Sequence, residues 1–154
     1  MKQLATAIAI MMLLAGSACA QVSVTAPWVR ATVPAQKSTG AYLHLQSAVA
    51  ARLVGVSSPV AATAEMHRMD MQGETMKMRQ VDSIELPAGK GVNLSSGTYH
   101  VMLVGLKRQL KEGDAVPLTL VVLGKDKRRE TVTVKVPVKP IGFVSPTSAP
   151  AMQH

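Results

Sequence analysis

The sequence predicts an all-β protein, a single small sandwich or barrel. Three observations lead there: short apolar alternations recur from Val22 onward, glycine-bearing turn clusters divide them, and no long stretch keeps a helical period. Eight short strands separated in this way suit a sandwich or barrel. With 154 residues and 47% hydrophobic content, the chain is sized for one packed domain. Aromatic residues make up only 3%, so the core must be built from Val, Leu, Ile, Ala and Met.

The first element is not part of that fold. Residues 1–20, MKQLATAIAIMMLLAGSACA, combine a positive start at Lys2, an apolar run from Leu4 to Leu14 and a small-residue end at Ala18-Cys19-Ala20. This pattern reads as a secretory signal cleaved after Ala20. The run is about half the ~20 residues a membrane-spanning helix needs, so the exported product is not expected to span a membrane. A lipid anchor on Cys19 is the competing reading. Against it, Gly16 stands where a lipoprotein signal usually has a Leu-like residue.

Cys19 is the only cysteine, so cleavage leaves neither a disulfide nor a thiolate for ligation or catalysis. Losing Lys2 takes the formal charge from +8 to about +7, which fits an evenly solvated basic surface. Nucleic acid is not an expected partner, because no basic run is interleaved with aromatics as a binding groove requires.

The expected strands follow in order: Val22 to Thr25, Ala41 to Gln46, Leu53 to Val56, Met76 to Val81, Gly91 to Leu94, Thr98 to Leu106, Pro117 to Leu123 and Glu130 to Val138. Pro87-Ala88-Gly89, Ser95-Ser96-Gly97, Glu112-Gly113-Asp114 and Gly124-Lys125-Asp126 supply the turns. Pro137 and Pro140 lack the donor that a sheet ladder uses, so the last strand is expected to end at an edge. The domain therefore runs over 21–138, and the Pro/Ser/Ala-rich residues 139–154 form a flexible tail.

Chemistry concentrates in one window. Of the seven methionines left after signal removal, Met66, Met69, Met71, Met76, Met78 and Met102 lie there with His67 and His100. His100 and Met102 are two apart on an expected strand and so leave the same face, as do Met76 and Met78, with Lys77 and Arg79 on the other. Imidazole joined to thioether is a soft donor set, which favours Cu(I) over the hard ions that carboxylates prefer. Outside the cytoplasm a thioether also suits better than a thiol, since it binds without deprotonating and forms no disulfide.

These residues resemble a known family, the PCuAC-type periplasmic copper chaperones. The family motif is His, ten residues, Met, twenty-one residues, His, one residue, Met, and His67, Met78, His100 and Met102 reproduce it without a gap. From the composition, four such matches arise by chance at roughly 4 in 10,000. Ala26-Pro27-Trp28-Val29-Arg30, Gly40-Ala41-Tyr42-Leu43, Met76-Lys77-Met78-Arg79, Tyr99-His100-Val101-Met102-Leu103 and Leu110-Lys111-Glu112-Gly113-Asp114 also look like family blocks, extending the resemblance over about residues 22–136.

The resemblance implies a cupredoxin-like Greek-key β-sandwich and a Cu(I) site made of His67, Met78, His100 and Met102. It further implies a periplasmic, non-enzymatic and monomeric carrier, which passes copper toward the dinuclear copper centre of cytochrome oxidase, often alongside Sco-type proteins. Some members have Met directly after the first His, whereas this chain has Arg68 there, with Met66 and Met69 nearby.

Plainer roles fit the other residues. His44 reads as a surface histidine and Trp28 as a residue in or near the core, while Lys127-Arg128-Arg129 reads as a solvated hairpin tip. Met152 and His154 offer a second, weaker copper site, for Cu(II) as well as Cu(I). Two rivals stand beside the carrier: a copper redox protein, which wants a cysteine ligand this chain lacks after cleavage, and a metal-free β-sandwich interaction module.

Overall fold

The computed structural model describes residues 21–95 and 97–146. The signal segment and the Met152/His154 pair lie outside the described residues. Ten strands follow one another: β1 Val22–Arg30, β2 Ser38–Ser47, β3 Ala51–Ser57, β4 Ala61–Gln72, β5 Thr75–Val81, β6 Ile84–Leu86, β7 Gly91–Leu94, β8 Tyr99–Leu106, β9 Ala115–Gly124 and β10 Arg129–Lys139. Eight coincide with the strands expected from sequence, and β4 and β6 are additional. β4 holds three alanines with one Glu and one Asp, residues depleted in strands, and β6 has only three residues.

The strands form one sheet in the order β5-β4-β8-β7-β2-β1-β10-β9-β3-β6, folded over so that both halves bury a single core. β1 joins the halves, pairing antiparallel with β2 and, at Val29↔Val138 and Arg30↔Lys139, parallel with β10. The result is a cupredoxin-like β-sandwich. Val29, Leu45, Leu53, Ile84, Val101, Leu103, Leu118 and Leu120 are fully buried between the layers, each alternating with a residue facing outward. The aliphatic core matches the composition.

A bulge in β1 sets the outer surface. The register shifts between Thr25 and Trp28, with Ala26 at φ 48°. The extra residue lets Val24 and Val29, an odd number apart, both face the core while Trp28 turns outward. There Trp28 packs on Tyr42 with ring centroids 4.5 Å apart and meets Phe143 edge-on at 4.9 Å.

One expectation about the C-terminal region is corrected. β10 is an interior strand that continues past Pro137 to Lys139. Val138 turns its backbone toward β9, donating to the Asp114 carbonyl at 2.9 Å and accepting from the Gly113 N–H at 3.2 Å. Pro137 therefore points the other way, just before pairing with β1 begins, so its missing donor interrupts no ladder. The following residues, up to 146, lie against the domain: Phe143 lies on Trp28, Arg30 donates to the Ile141 carbonyl at 2.7 Å and Ser145 is buried. The outward Trp28 supplies the apolar surface that holds them.

Candidate metal centre

The candidate site grows from the outer face of β5, β4 and β8, which are neighbours in the first half of the sheet. On β8, Val101 and Leu103 point into the core, so His100 and Met102 point away from it. On β4, Met66 is opposite Val101 and buried, so the next rung, His67 opposite His100, lies on the outer face. Direct cross-strand pairing brings the two imidazoles to a centroid separation of 5.6 Å in an edge-to-face arrangement. Met78 sits opposite Met69 on the same face of β5, and its Sδ comes within 3.0 Å of His100 Nε2. Met102 is flanked by Glu65 on β4 and Gly40 on β2. All four residues singled out by spacing thus share one face.

Three supporting residues were not found by sequence reasoning. Glu65, two before His67 and so on its face, accepts a hydrogen bond from His67 Nε2 at 2.8 Å. A carboxylate has no hydrogen to give, so the proton is on Nε2 and the lone pair of the neutral ring is on Nδ1. Gly40, opposite Met102, leaves space over its Cα that the Tyr42 phenol fills: an added Cβ would collide with the hydroxyl and lie 2.6 Å from Cζ. Tyr42 in turn has its ring centroid 6.4 Å from that of His100. Recognition of β4 would have exposed Glu65 by its two-residue spacing from His67. Gly40 and Tyr42 needed the β2–β8 register.

Both histidines are secluded. His100 is 6% exposed, and the side chain of His67 12%. The Nδ1 atoms of His67 and His100 are buried without a hydrogen-bond partner. Buried polar atoms are nearly always paired, so the Nδ1 of His67, whose other nitrogen already donates to Glu65, is the atom left with a lone pair and no partner. Burial is the main cause that lowers the His100 pKa below its ordinary 6.5, the nearby His67 adds to it, and the Thr98 carbonyl opposes it. The ring is therefore neutral at neutral pH, with a lone pair to give. Among the described residues no three His, Cys, Asp or Glu side chains gather as a metal site.

The remaining window residues divide cleanly. Met66 belongs to the core, whereas Met69, Met71 and Met76 lie on the candidate face. His44 is held by Asn93, Nδ1 to Oδ1 2.6 Å, away from the site, and Lys127 and Arg128 lie at the exposed turn between β9 and β10, with Arg129 opening β10.

Comparison with known proteins shows the family and the fold. The family model described as "Putative lipoprotein LpqE-like" matches residues 22–138. A "Putative lipoprotein Lxx21020" of Leifsonia xyli subsp. xyli is 29% identical over 119 residues, 77% of this chain and 69% of that protein. The solution structure of CuI-DR1885 from Deinococcus radiodurans is 34% identical, with a TM-score of 0.61 over 81% of this chain and 83% of that one. The copper-bound PCuAC domain from PmoF2, at 24% identity, shares the fold with a TM-score of 0.62 over 78% of this chain and 93% of its own. With the motif spacing intact and the match running from β1 into β10, the chain belongs to the LpqE-like family of PCuAC-type domains.

Proposed function

We propose that this protein is an exported copper(I) metallochaperone whose ligands are His67, Met78, His100 and Met102. The observation that carries the proposal is the pair of secluded imidazoles, 5.6 Å apart by centroid, with the Met78 sulfur 3.0 Å from His100 Nε2. The relatives support it: the Deinococcus structure is of a Cu(I) form, and a PCuAC domain has been solved with copper bound.

All four donors are neutral, so they leave the single charge of Cu(I) uncompensated and hold it exchangeably. Transfer runs by ligand exchange. An incoming thiolate or imidazole of the acceptor bonds to copper as Met78, the half-exposed ligand, leaves; copper stays monovalent and no free ion is released. The acceptor we assign, on the family resemblance, is the dinuclear copper centre of cytochrome oxidase, reached directly or through a Sco-type protein. The role is carriage rather than catalysis.

The deciding experiment is a Cu(I) competition titration of the purified protein under reducing conditions. We expect one tightly held equivalent, and loss of it when His100→Ala and Met102→Leu are combined. Unchanged affinity in that variant would falsify the assignment. No bound copper at all would favour the metal-free interaction module, and a strong visible copper–thiolate band would favour a redox protein.

The lipoprotein descriptions of the family and its relative favour a second reading of the N-terminus, with Cys19 lipidated. Palmitate labelling and intact mass separate the two. A lipid-free product beginning at Gln21 supports cleavage after Ala20, and a labelled product beginning at Cys19 supports the anchor.

A further inference from the structure

The β4–β5 hairpin carries more thioethers than one copper site uses. Register places Met71 opposite Met76 and Met69 opposite Met78, and residues two apart on a strand share a face. The rungs Met71/Met76, Met69/Met78 and His67/His100 therefore follow one another on a single face, from the hairpin turn to the two imidazoles. Met71 is 65% exposed, Met76 44% and Met78 49%. They are three of the seven exposed large hydrophobic side chains among the described residues.

Packing does not account for them. β5 is an edge strand, and the opposite face of the same hairpin holds the Arg68–Asp70 and Arg79–Asp70 ion pairs rather than core. Methionine also has little intrinsic preference for strands, so an exposed rung of two is not a choice of local structure. Its soft sulfur and three rotatable bonds, by contrast, let two side chains opposite one another meet on one soft ion.

We propose that Met71 and Met76, with Met69, form a second and weaker Cu(I) station that exchanges copper with the main site through Met78. The proposal rests on the copper reading above. In the exchange, a bond from Met78 Sδ to copper forms as the bond from Met71 or Met76 breaks. Copper remains monovalent and no proton moves, since every donor is a neutral sulfur. Having no imidazole and no charged ligand, the station binds less firmly than the main site, as an exposed point of arrival or departure requires.

The test is an anaerobic Cu(I) titration of the wild-type protein, followed through the methionine ε-methyl NMR signals. The first equivalent is expected to shift Met78 and Met102, and the second to shift Met71 and Met76, while buried Met66 stays in place throughout. Met71→Leu/Met76→Leu, at exposed positions that keep their apolar volume, is expected to retain the first equivalent at unchanged affinity and to load it several-fold more slowly. If the first equivalent binds normally but Met71 and Met76 never move, or if the second moves Met152 instead, the station is wrong and the main site stands. If Met78 and Met102 do not move with the first equivalent, the copper reading itself fails.

Discussion

The two faces of the β4–β5 hairpin share a backbone and differ in chemistry. On one, Arg68 grips Asp70 through Nε at 2.7 Å and Nη2 at 3.0 Å, with Arg79 3.8 Å from the same carboxylate. On the other stand His67, Met69, Met71, Met76 and Met78. The first face follows the ordinary rule for a hairpin that projects past its core, with charges paired in water. The second breaks it, exposing thioethers where Met66, one residue before His67, is buried in the core at 6% exposure. A buried methionine, Met66, and the exposed Met71 thus stand on one strand, and the face each occupies distinguishes them.

The largest effect should come from breaking the donor face at its buried end. Replacing His100 by Ala removes an imidazole that is almost inaccessible to solvent and the partner of Met78 Sδ. Since loss of an outer supporting group alone costs metal sites about 10- to 100-fold, loss of the ligand should weaken Cu(I) binding by more than about 100-fold. Competition against a Cu(I) chelator measures it.

Next in size is Glu65. Its carboxylate holds His67 Nε2–H and thereby fixes the ring and leaves the lone pair on the buried Nδ1. Glu65→Ala should weaken Cu(I) binding by about 10- to 100-fold, and Glu65→Gln, which keeps an acceptor oxygen, should recover part of it. Equal affinities for all three proteins would show that His67 needs no orientation.

Gly40→Ala acts on the wall of the site. The new Cβ meets Tyr42, which cannot move far because its ring lies on Trp28. Overpacking of this kind costs about 1–3 kcal/mol, read as a lower urea midpoint. It should also alter the near-ultraviolet signal of the Trp28–Tyr42 pair. Three of the four aromatic residues in the chain, Trp28, Tyr42 and Phe143, gather on this outer surface, which explains how so aliphatic a core coexists with a firm site.

How much of this was legible in sequence follows from what each feature depends on. The proposed ligand set could be singled out because its spacing is a property of the chain alone. The strands carrying Met78, His100 and Met102 could be read because alternation around Val101 and Leu103 is strong. β4 escaped because Ala61, Ala62, Ala64, Glu65 and Met66 do not look like strand residues, although their position beside β8 makes them one. The packed course of residues 140–146 escaped for a related reason: its partner, Trp28, faces outward only through a bulge that alternation cannot foresee.

Titration of His100 gives a smaller and graded test. Burial lowers its folded pKa, so between that value and the ordinary ~6.5 the unfolded chain binds the extra proton. The His100 contribution to apo stability is therefore full above ~6.5, declines as pH falls through that window, and falls no further below the folded value. Denaturation of the metal-free protein across this range should show the decline, and His100→Asn should flatten it. For the same reason protons compete with Cu(I) at this ring only at lower pH than they would at a free imidazole.

The smallest effect should come from the ionic face, and its smallness is what sharpens the contrast. The Arg68 side chain is 44% exposed and its guanidinium is paired with Asp70 and the neighbouring Tyr99 hydroxyl. Exposed pairs of this kind contribute little to stability, because water and salt screen the attraction and two long side chains must be held still. Arg68→Ala should leave Cu(I) affinity unchanged and shift the melting temperature slightly, less still at high salt. Both results together would place the metal chemistry on one side of the hairpin. A large loss of copper affinity would mean that the ion pairs position His67 through the β4 backbone, and that the two faces act as one device.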